Sequence, residues 1–322
     1  MSKLVVIRKR SLTSAQFSEL ADMPPEREWL RNIANKKTKR AYKNDVAEFV
    51  HFAGLKTFAE LRAITRTHVI AWREDLEERK LKPASRRRKL SALSSLFDYL
   101  CEKNAVVGNP VDGVKRPKAN GNHGSTPALG DAQARRLLDA PPEKTLKGVR
   151  DRAILATLLY HGLRREELCK LLVGDMQTHE GVLHFRVEGK GDKIRFIPVH
   201  ALAQRLIVKY LKRAGHDHDM AGPLFRPVKN NRTPAKLEKP LDPASIHRNI
   251  VRHYGVLTGV DAAVNGLRVH SLRATAATNA LSNKADIAKV QEWLGHANVS
   301  TTRLYDRRKM KPEESPTFKI EY

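Results

Sequence analysis

Only two cysteines occur in 322 residues, Cys101 and Cys169. Each sits inside a helical apolar pattern, so neither a disulfide framework nor a thiolate zinc site can be assembled, and both read as packing residues. Long apolar runs are missing as well: no stretch of 18 apolar residues appears, which argues against a membrane-spanning helix. The only apolar patch at the start is residues 4–7, too short for a signal-peptide core. The expectation is a cytoplasmic, nucleoid-associated protein. Acidic side chains are scarce too, 35 against 60 lysines and arginines, for a net charge of +25. Such an excess repels itself in a compact state and favours a polyanion, so nucleic acid is the leading partner and a membrane surface is set aside.

What is present is enough chain for two cores. The expected division is an N-terminal tail over 1–23, a helical DNA-binding domain over 24–115, a linker over 116–127, a second domain over 128–310 and a C-terminal tail over 311–322. In the first domain apolar residues recur at three and four, with Tyr42, Val46, Phe49, Val50 and Ala53 forming one stripe. A second helix follows an N-cap at Thr67 and carries Val69, Trp72, Arg73 and Leu76; a third carries Leu90, Leu93, Phe97 and Leu100. Cations crowd two helix openings: Lys36, Lys37, Lys39 and Arg40, then Arg86, Arg87, Arg88 and Lys89. Free N–H groups at a helix N-terminus already favour phosphate, so these eight are read as DNA-binding residues. The plainer alternative is a solvated face, against which the net charge weighs.

Residues 116–127 read RPKANGNHGSTP, without apolar periodicity, as an extended segment should. Beyond it come a capped helix from Asp131, an apolar helix with Ile154, Leu155, Leu158 and Leu159 ending at Gly162, and a short helix from about Leu163. Residues 181–199 change to period two and form a hairpin around Gly189, Lys190, Gly191 and Asp192. Helical patterns resume from Leu202, with a loop over about 215–242. The fold class is therefore mainly α: a helical bundle, then a mainly helical domain with a small antiparallel β-sheet. His216, Asp217, His218 and Asp219 suggest a metal reading, but a polar loop makes solvated side chains the simpler one, and no metal is expected.

Several polar residues stand in unusual places. Arg164 and Glu167 share a helix face at spacing three, as do His270 and Arg273, beside which Leu272 should point inward. Lys190 sits at the hairpin tip, Gly295 and His296 end a helix, and Tyr305 follows nine residues later. Each alone fits a structural role. Their order is more specific: GLRREEL (162–168), GKGDKIRFIPV (189–199), HSLR (270–273) and LGHANVSTTRLY (294–305). Together these resemble the active-site boxes of the tyrosine recombinase (phage integrase) family.

The resemblance implies a core-binding domain followed by a catalytic domain, and site-specific cleavage and rejoining of DNA through a covalent 3′-phosphotyrosine. Tyr305 would be the nucleophile, Arg164 and Arg273 the arginine pair, Glu167 the support of Arg164, and Lys190 the proton donor to the departing 5′ hydroxyl. His270 would accept the phenolic proton and His296 would bond the scissile phosphate. The residue types suit the task. Planar guanidiniums hold charge on non-bridging oxygens, and free tyrosine, which ionises near pH ~10, needs a base or a cationic field. No ATP, metal or other cofactor is implied. The implied partners are double-stranded DNA bearing recombination sites, a homotetramer in the synaptic complex, and accessory DNA-bending or directionality proteins. Phe318, Ile320 and Tyr322 recur at period two, so the tail is expected to dock on a neighbouring protomer. Ala274 departs from the family pattern, which often has a locally packing histidine there, and little catalytic consequence is expected. Two rival readings are a type IB topoisomerase and a non-catalytic DNA-binding regulator of the same fold.

Overall fold

Helix α3 (Lys36–Phe52) begins where the Asn35 side chain accepts hydrogen bonds from the Lys37 and Thr38 amides, satisfying two N–H groups that the helix itself cannot. The computed structural model describes residues 12–117, 126–189, 193–228 and 238–306. Lys190, most of the 116–127 segment and the tail after residue 311 lie outside these. The chain divides into two compact units, residues 1–121 and 122–322.

In the first unit α1 (Ser14–Ala21), α2 (Pro25–Asn32) and α4 (Phe58–Arg62) accompany three longer helices: α3, α5 (Arg66–Glu78) and α6 (Pro83–Glu102). The apolar stripes meet as expected, with Phe49, Val69, Trp72, Leu76, Leu90, Leu93, Phe97 and Leu100 fully buried. Phe49 meets the Trp72 ring edge-on at 5.0 Å, a favourable quadrupole arrangement. The cap of α5 is Thr65, not Thr67, because the His68 ring accepts the Thr65 amide at 3.1 Å. Helix α6 starts at Pro83, whose missing N–H costs nothing in a first turn.

One expectation fails here. Lys89 is not available to DNA, since it is buried against α3, where its ammonium bonds Asp45 at 3.2 Å and also pairs with Glu48. Asp45 is itself buried, and a buried carboxylate requires cations, supplied here by Lys89 and Arg88. Arg86 pairs with Glu77 at 2.6 Å. Lys36, Lys37, Arg40, Arg87 and Arg88 remain exposed, and Lys39 is half-buried.

The second unit is arranged around α8 (Leu146–His161), packed between α10 (Ala201–Ala214) and α14 (Val269–Ser282), with α7 (Asp131–Asp139) alongside. It ends at Gly162 in the left-handed region (φ +57°), where a Cβ would lie 2.9 Å from the Leu294 side chain. Short α9 (Arg165–Lys170) leads to a three-stranded antiparallel sheet, β1 (Met176–His179), β2 (Val182–Glu188) and β3 (Ile194–Pro198), in that spatial order. Phe185 opposes Ile197 and Val187 opposes Arg195 on the face that meets the core. After α11 (Pro243–Ser245) a π-helical stretch, Ile246–Arg252, runs into α12 (His253–Leu257) and α13 (Val260–Val264). Helices α15 (Ile287–Leu294) and α16 (Val299–Arg303) follow α14.

Ala274 fits its position: it is fully buried with Ala277, Leu281, Val290, Leu294 and Tyr305, and the helix start is capped by Ser271, which accepts the Arg268 amide at 3.1 Å. His216 is buried against the Tyr210 ring, contrary to the solvated-loop reading. Burial pushes the Cys169 thiol up to about 12, consistent with a packing role.

His161 is almost wholly buried, donates from Nδ1 to the Thr157 carbonyl at 3.0 Å and accepts the His200 amide at Nε2. Burial pushes its pKa from 6.5 down to about 4. The unfolded chain therefore takes up this proton first, so the stabilisation is full above pH 6.5 and is lost as pH falls toward 4. This group alone should remove roughly 3 kcal/mol across that window. Denaturant titrations at pH 7 and pH 4.5 should show the decline, with a shallower pH slope for His161→Gln.

Candidate active site

The carbonyls of two helix ends carry partial negative charge, and both are directed at one side chain. Arg273, the fifth residue of α14, is 1% exposed; Nη1 donates to the Gly162 carbonyl at 2.5 Å and Nη2 to the Leu294 carbonyl at 2.7 Å. Nη2 also lies 2.8 Å from His296 Nε2, while Nε is buried without a hydrogen-bond partner among the described residues.

Arg164 caps α9. Its amide donates to Glu167 Oε2 at 2.8 Å, Nη1 to Glu167 Oε1 at 2.6 Å, and Nη2 to the Gly295 carbonyl at 3.0 Å. A third guanidinium converges here that sequence reasoning passed over. Arg195 of β3 donates to both Glu167 oxygens, at 3.2 and 2.8 Å, and through Nε to the Trp293 carbonyl at 3.2 Å. Burial opposes the Glu167 charge, yet the Arg195 bonds and the Arg164 amide hold its carboxyl below the ordinary value. Three guanidiniums and one carboxylate leave two positive charges facing one region, suited to a phosphodiester anion.

Tyr305 is buried, two residues beyond the end of α16, and its hydroxyl lies 3.0 Å from His270 Nε2. The Thr278 hydroxyl bonds the Tyr305 carbonyl at 3.1 Å, and the His296 ring lies nearly parallel to the phenol with centroids 5.9 Å apart. His270 is exposed by surface area, but desolvation, Arg273 and Arg164 lower its proton affinity. A neutral His270 can accept the phenolic proton. Arg164, Glu167, His270, Arg273, His296 and Tyr305 are thus brought together, and Lys190 lies outside the described residues.

His296 is more occupied than its sequence position suggested. Desolvation and the neighbouring Arg273 and Arg164 push it down to about 4, so it is neutral at pH 7. Nε2 accepts from Arg273, which leaves the proton on Nδ1, facing the Thr302 hydroxyl at 2.9 Å. In this tautomer His296 braces Arg273 and has no Nε2 proton for a phosphate. Thr302 is fully buried, and its carbonyl accepts the Tyr305 amide at 2.9 Å, so one residue ties the imidazole to the tyrosine. Thr302→Val should cost about 1 kcal/mol of stability and slow single-turnover DNA cleavage about fivefold through the freed imidazole. An unchanged cleavage rate in a folded variant would remove that role.

Residues 128–311 match the phage integrase family, and residues 29–104 match the N-terminal SAM-like domain of phage integrases. The tyrosine recombinase XerC of Pelobacter propionicus is 33% identical over 272 residues, 83% of either chain. The tyrosine recombinase XerD of Vibrio cholerae is 30% identical over 283 residues, 86% of this chain and 87% of that one. Two solved structures share the fold. One is the XerH site-specific recombinase bound to a palindromic difH substrate in a post-cleavage complex (TM-score 0.66, 21% identity, 83% of this chain and 75% of that one). The other is a lambda integrase tetramer bound to a Holliday junction (TM-score 0.63, 18% identity, 92% and 79%). On this evidence the chain belongs to the phage integrase family, the tyrosine recombinases that cleave and rejoin DNA.

Proposed function

We propose that this protein is a site-specific DNA recombinase in which Tyr305 attacks the scissile phosphorus. The observation that carries the assignment is the phenol within hydrogen-bonding distance of a neutral imidazole, with Arg273 and Arg164 in the same cluster. As the Tyr305 oxygen bonds phosphorus, its proton passes to His270 Nε2 and the bond from phosphorus to the 5′ oxygen breaks. The products are a 3′-phosphotyrosine and a 5′ hydroxyl, whose proton Lys190 supplies on the family pattern. Arg164 and Arg273 hold the non-bridging oxygens as charge builds on them. The new ester retains the reactivity of the old one, so a 5′ hydroxyl from a second duplex reverses the step and exchanges partners.

The N-terminal unit supplies cationic helix openings, with Lys36, Lys37, Arg40, Arg87 and Arg88 the exposed candidates for phosphate contact. Four copies around two DNA sites, accessory DNA-bending proteins, association with the nucleoid, and a tail that docks on the neighbouring copy complete the proposal. The lambda integrase tetramer on a Holliday junction supports the stoichiometry. The test is to incubate the protein with a library of element and host DNA, denature, and sequence the DNA and peptide at each covalent junction. Tyr305 joined to a 3′ phosphate is expected; a junction at any other residue overturns the assignment.

A further inference from the structure

Glu167 accepts hydrogen bonds at both oxygens from two different guanidiniums, and its position explains how Arg164 is aimed. The carboxylate is 5% exposed. Oε2 takes the Arg195 Nη2 and the Arg164 amide, and Oε1 takes Arg164 Nη1 and Arg195 Nη1. Both oxygens therefore carry two hydrogen bonds, close to the full capacity of a carboxylate. Arg164 gives one side-chain N–H to Glu167 and one to the Gly295 carbonyl, and the other three of its five have no hydrogen-bond partner among the described residues.

We infer that Arg195 is a positioning residue for Arg164, bonding one of its anchors, Glu167, and lying against the other, Gly295, so that the remaining N–H groups face the scissile phosphate. The inference rests on the reading of Arg164 as a phosphate ligand. Three observations carry it. Arg195 occupies the Glu167 oxygens that Arg164 would otherwise clasp with both nitrogens in the favoured fork geometry, which would turn the guanidinium away from DNA. Its Nε bonds the Trp293 carbonyl, and its guanidinium lies against Gly295, whose left-handed backbone (φ +66°) has no Cβ; an added one would sit 3.1 Å from Nη1. The Arg195 side chain is only 14% exposed, and its Nε, Nη1 and Nη2 donate to the Trp293 carbonyl and to Glu167, so its bonds bear on the residues that carry Arg164. Among the effects that keep Glu167 ionised against burial, the Arg195 bonds are the largest.

The test uses the full chain and a duplex whose cleavage junction has been mapped with unaltered protein, made with either a phosphate or a neutral methylphosphonate at that junction. On phosphate, Arg195→Met should slow single-turnover adduct formation roughly 10- to 100-fold, the scale of a misplaced reacting group, with DNA affinity unchanged. On methylphosphonate, which needs less charge stabilisation, the deficit should shrink to about threefold or less. In the Arg164→Ala background, Arg195→Met should add nothing. Arg195→Lys keeps a cation on Glu167 but lacks the fork, so it should fold like the parent and be slowed to an intermediate degree. It serves as the readout if the methionine variant melts early. An equal deficit on both linkages, or an undiminished deficit on top of Arg164→Ala, overturns the inference while leaving the Arg164 assignment standing. Parental cleavage of phosphate by Arg164→Ala alone would remove that assignment, and the inference with it.

Discussion

Tyr305→Phe is expected to abolish the covalent protein–DNA adduct while leaving folding and duplex binding near the parental level. The ring stays packed against Ala274, Ala277, Leu281, Val290 and Leu294, so the change removes one oxygen and its 3.0 Å contact with His270. That hydrogen bond is worth about 1 kcal/mol, and His270 is exposed, so the melting temperature should fall by only a few degrees. The loss of chemistry should be complete, because no other hydroxyl among the described residues lies within hydrogen-bonding distance of His270. Denaturing electrophoresis of the protein with its mapped duplex measures the adduct, and mobility shift under native conditions measures binding. An adduct formed at parental yield by the phenylalanine variant would place the nucleophile elsewhere.

Arg273 should give the second-largest effect, of a different kind. Its side chain is buried and holds the Gly162 and Leu294 carbonyls together with His296. Removing it leaves two buried carbonyls unsatisfied and a void in their midst, each carbonyl costing about 1–3 kcal/mol. Arg273→Ala should therefore lose several kcal/mol of stability as well as catalysis. Arg273→Lys, which retains charge and most of the volume, is the better probe. It should cut the cleavage rate roughly 10²- to 10³-fold, the usual consequence of losing one transition-state charge donor, with a smaller loss of stability. Arg164→Ala should slow cleavage comparably but melt near the parental temperature, because its side chain is about one-third exposed. Calorimetry beside single-turnover kinetics separates the two; equal melting temperatures for Arg273→Ala and Arg164→Ala would contradict the structural role given to Arg273.

The contrast bears on what could be read from sequence. The three longer helices of the first unit were legible because one apolar stripe per helix is a strong periodic signal, whereas α1, with no buried residue, fell in the expected tail; the Gly162 stop and the β2–β3 hairpin were legible from glycine placement and a change of period. Strand β1 was not: Met176, Gln177, Thr178 and His179 carry no apolar alternation, and they pair only because β2 presents an edge to them. Lys89 was misread because a run of cations does not say which one turns inward; the buried Asp45, 44 positions away, decides that.

In the site, the order of the four boxes pointed to Arg164, His270, Arg273, His296 and Tyr305. Arg195 lay inside one of those boxes and was overlooked, although its register was a signal. It shares the inward face of β3 with the fully buried Ile197, and an arginine on a core face must have found an acid. Glu167, the only acid within the matching boxes besides Glu166 and Asp192, was the natural partner. Thr302 offered no comparable clue, since a buried hydroxyl that fixes a histidine tautomer is visible only when the ring is in view.

The tethering of α8 and α15 by Arg273 dictates how a harmless version of this enzyme should be made. Because that guanidinium also acts as a rivet between two helix ends, a variant truncated there would be loosened as well as silenced and make a poor decoy. Silencing at the phenol leaves the rivet in place, so a folded, inert reagent for capturing intact target duplexes should be built at Tyr305.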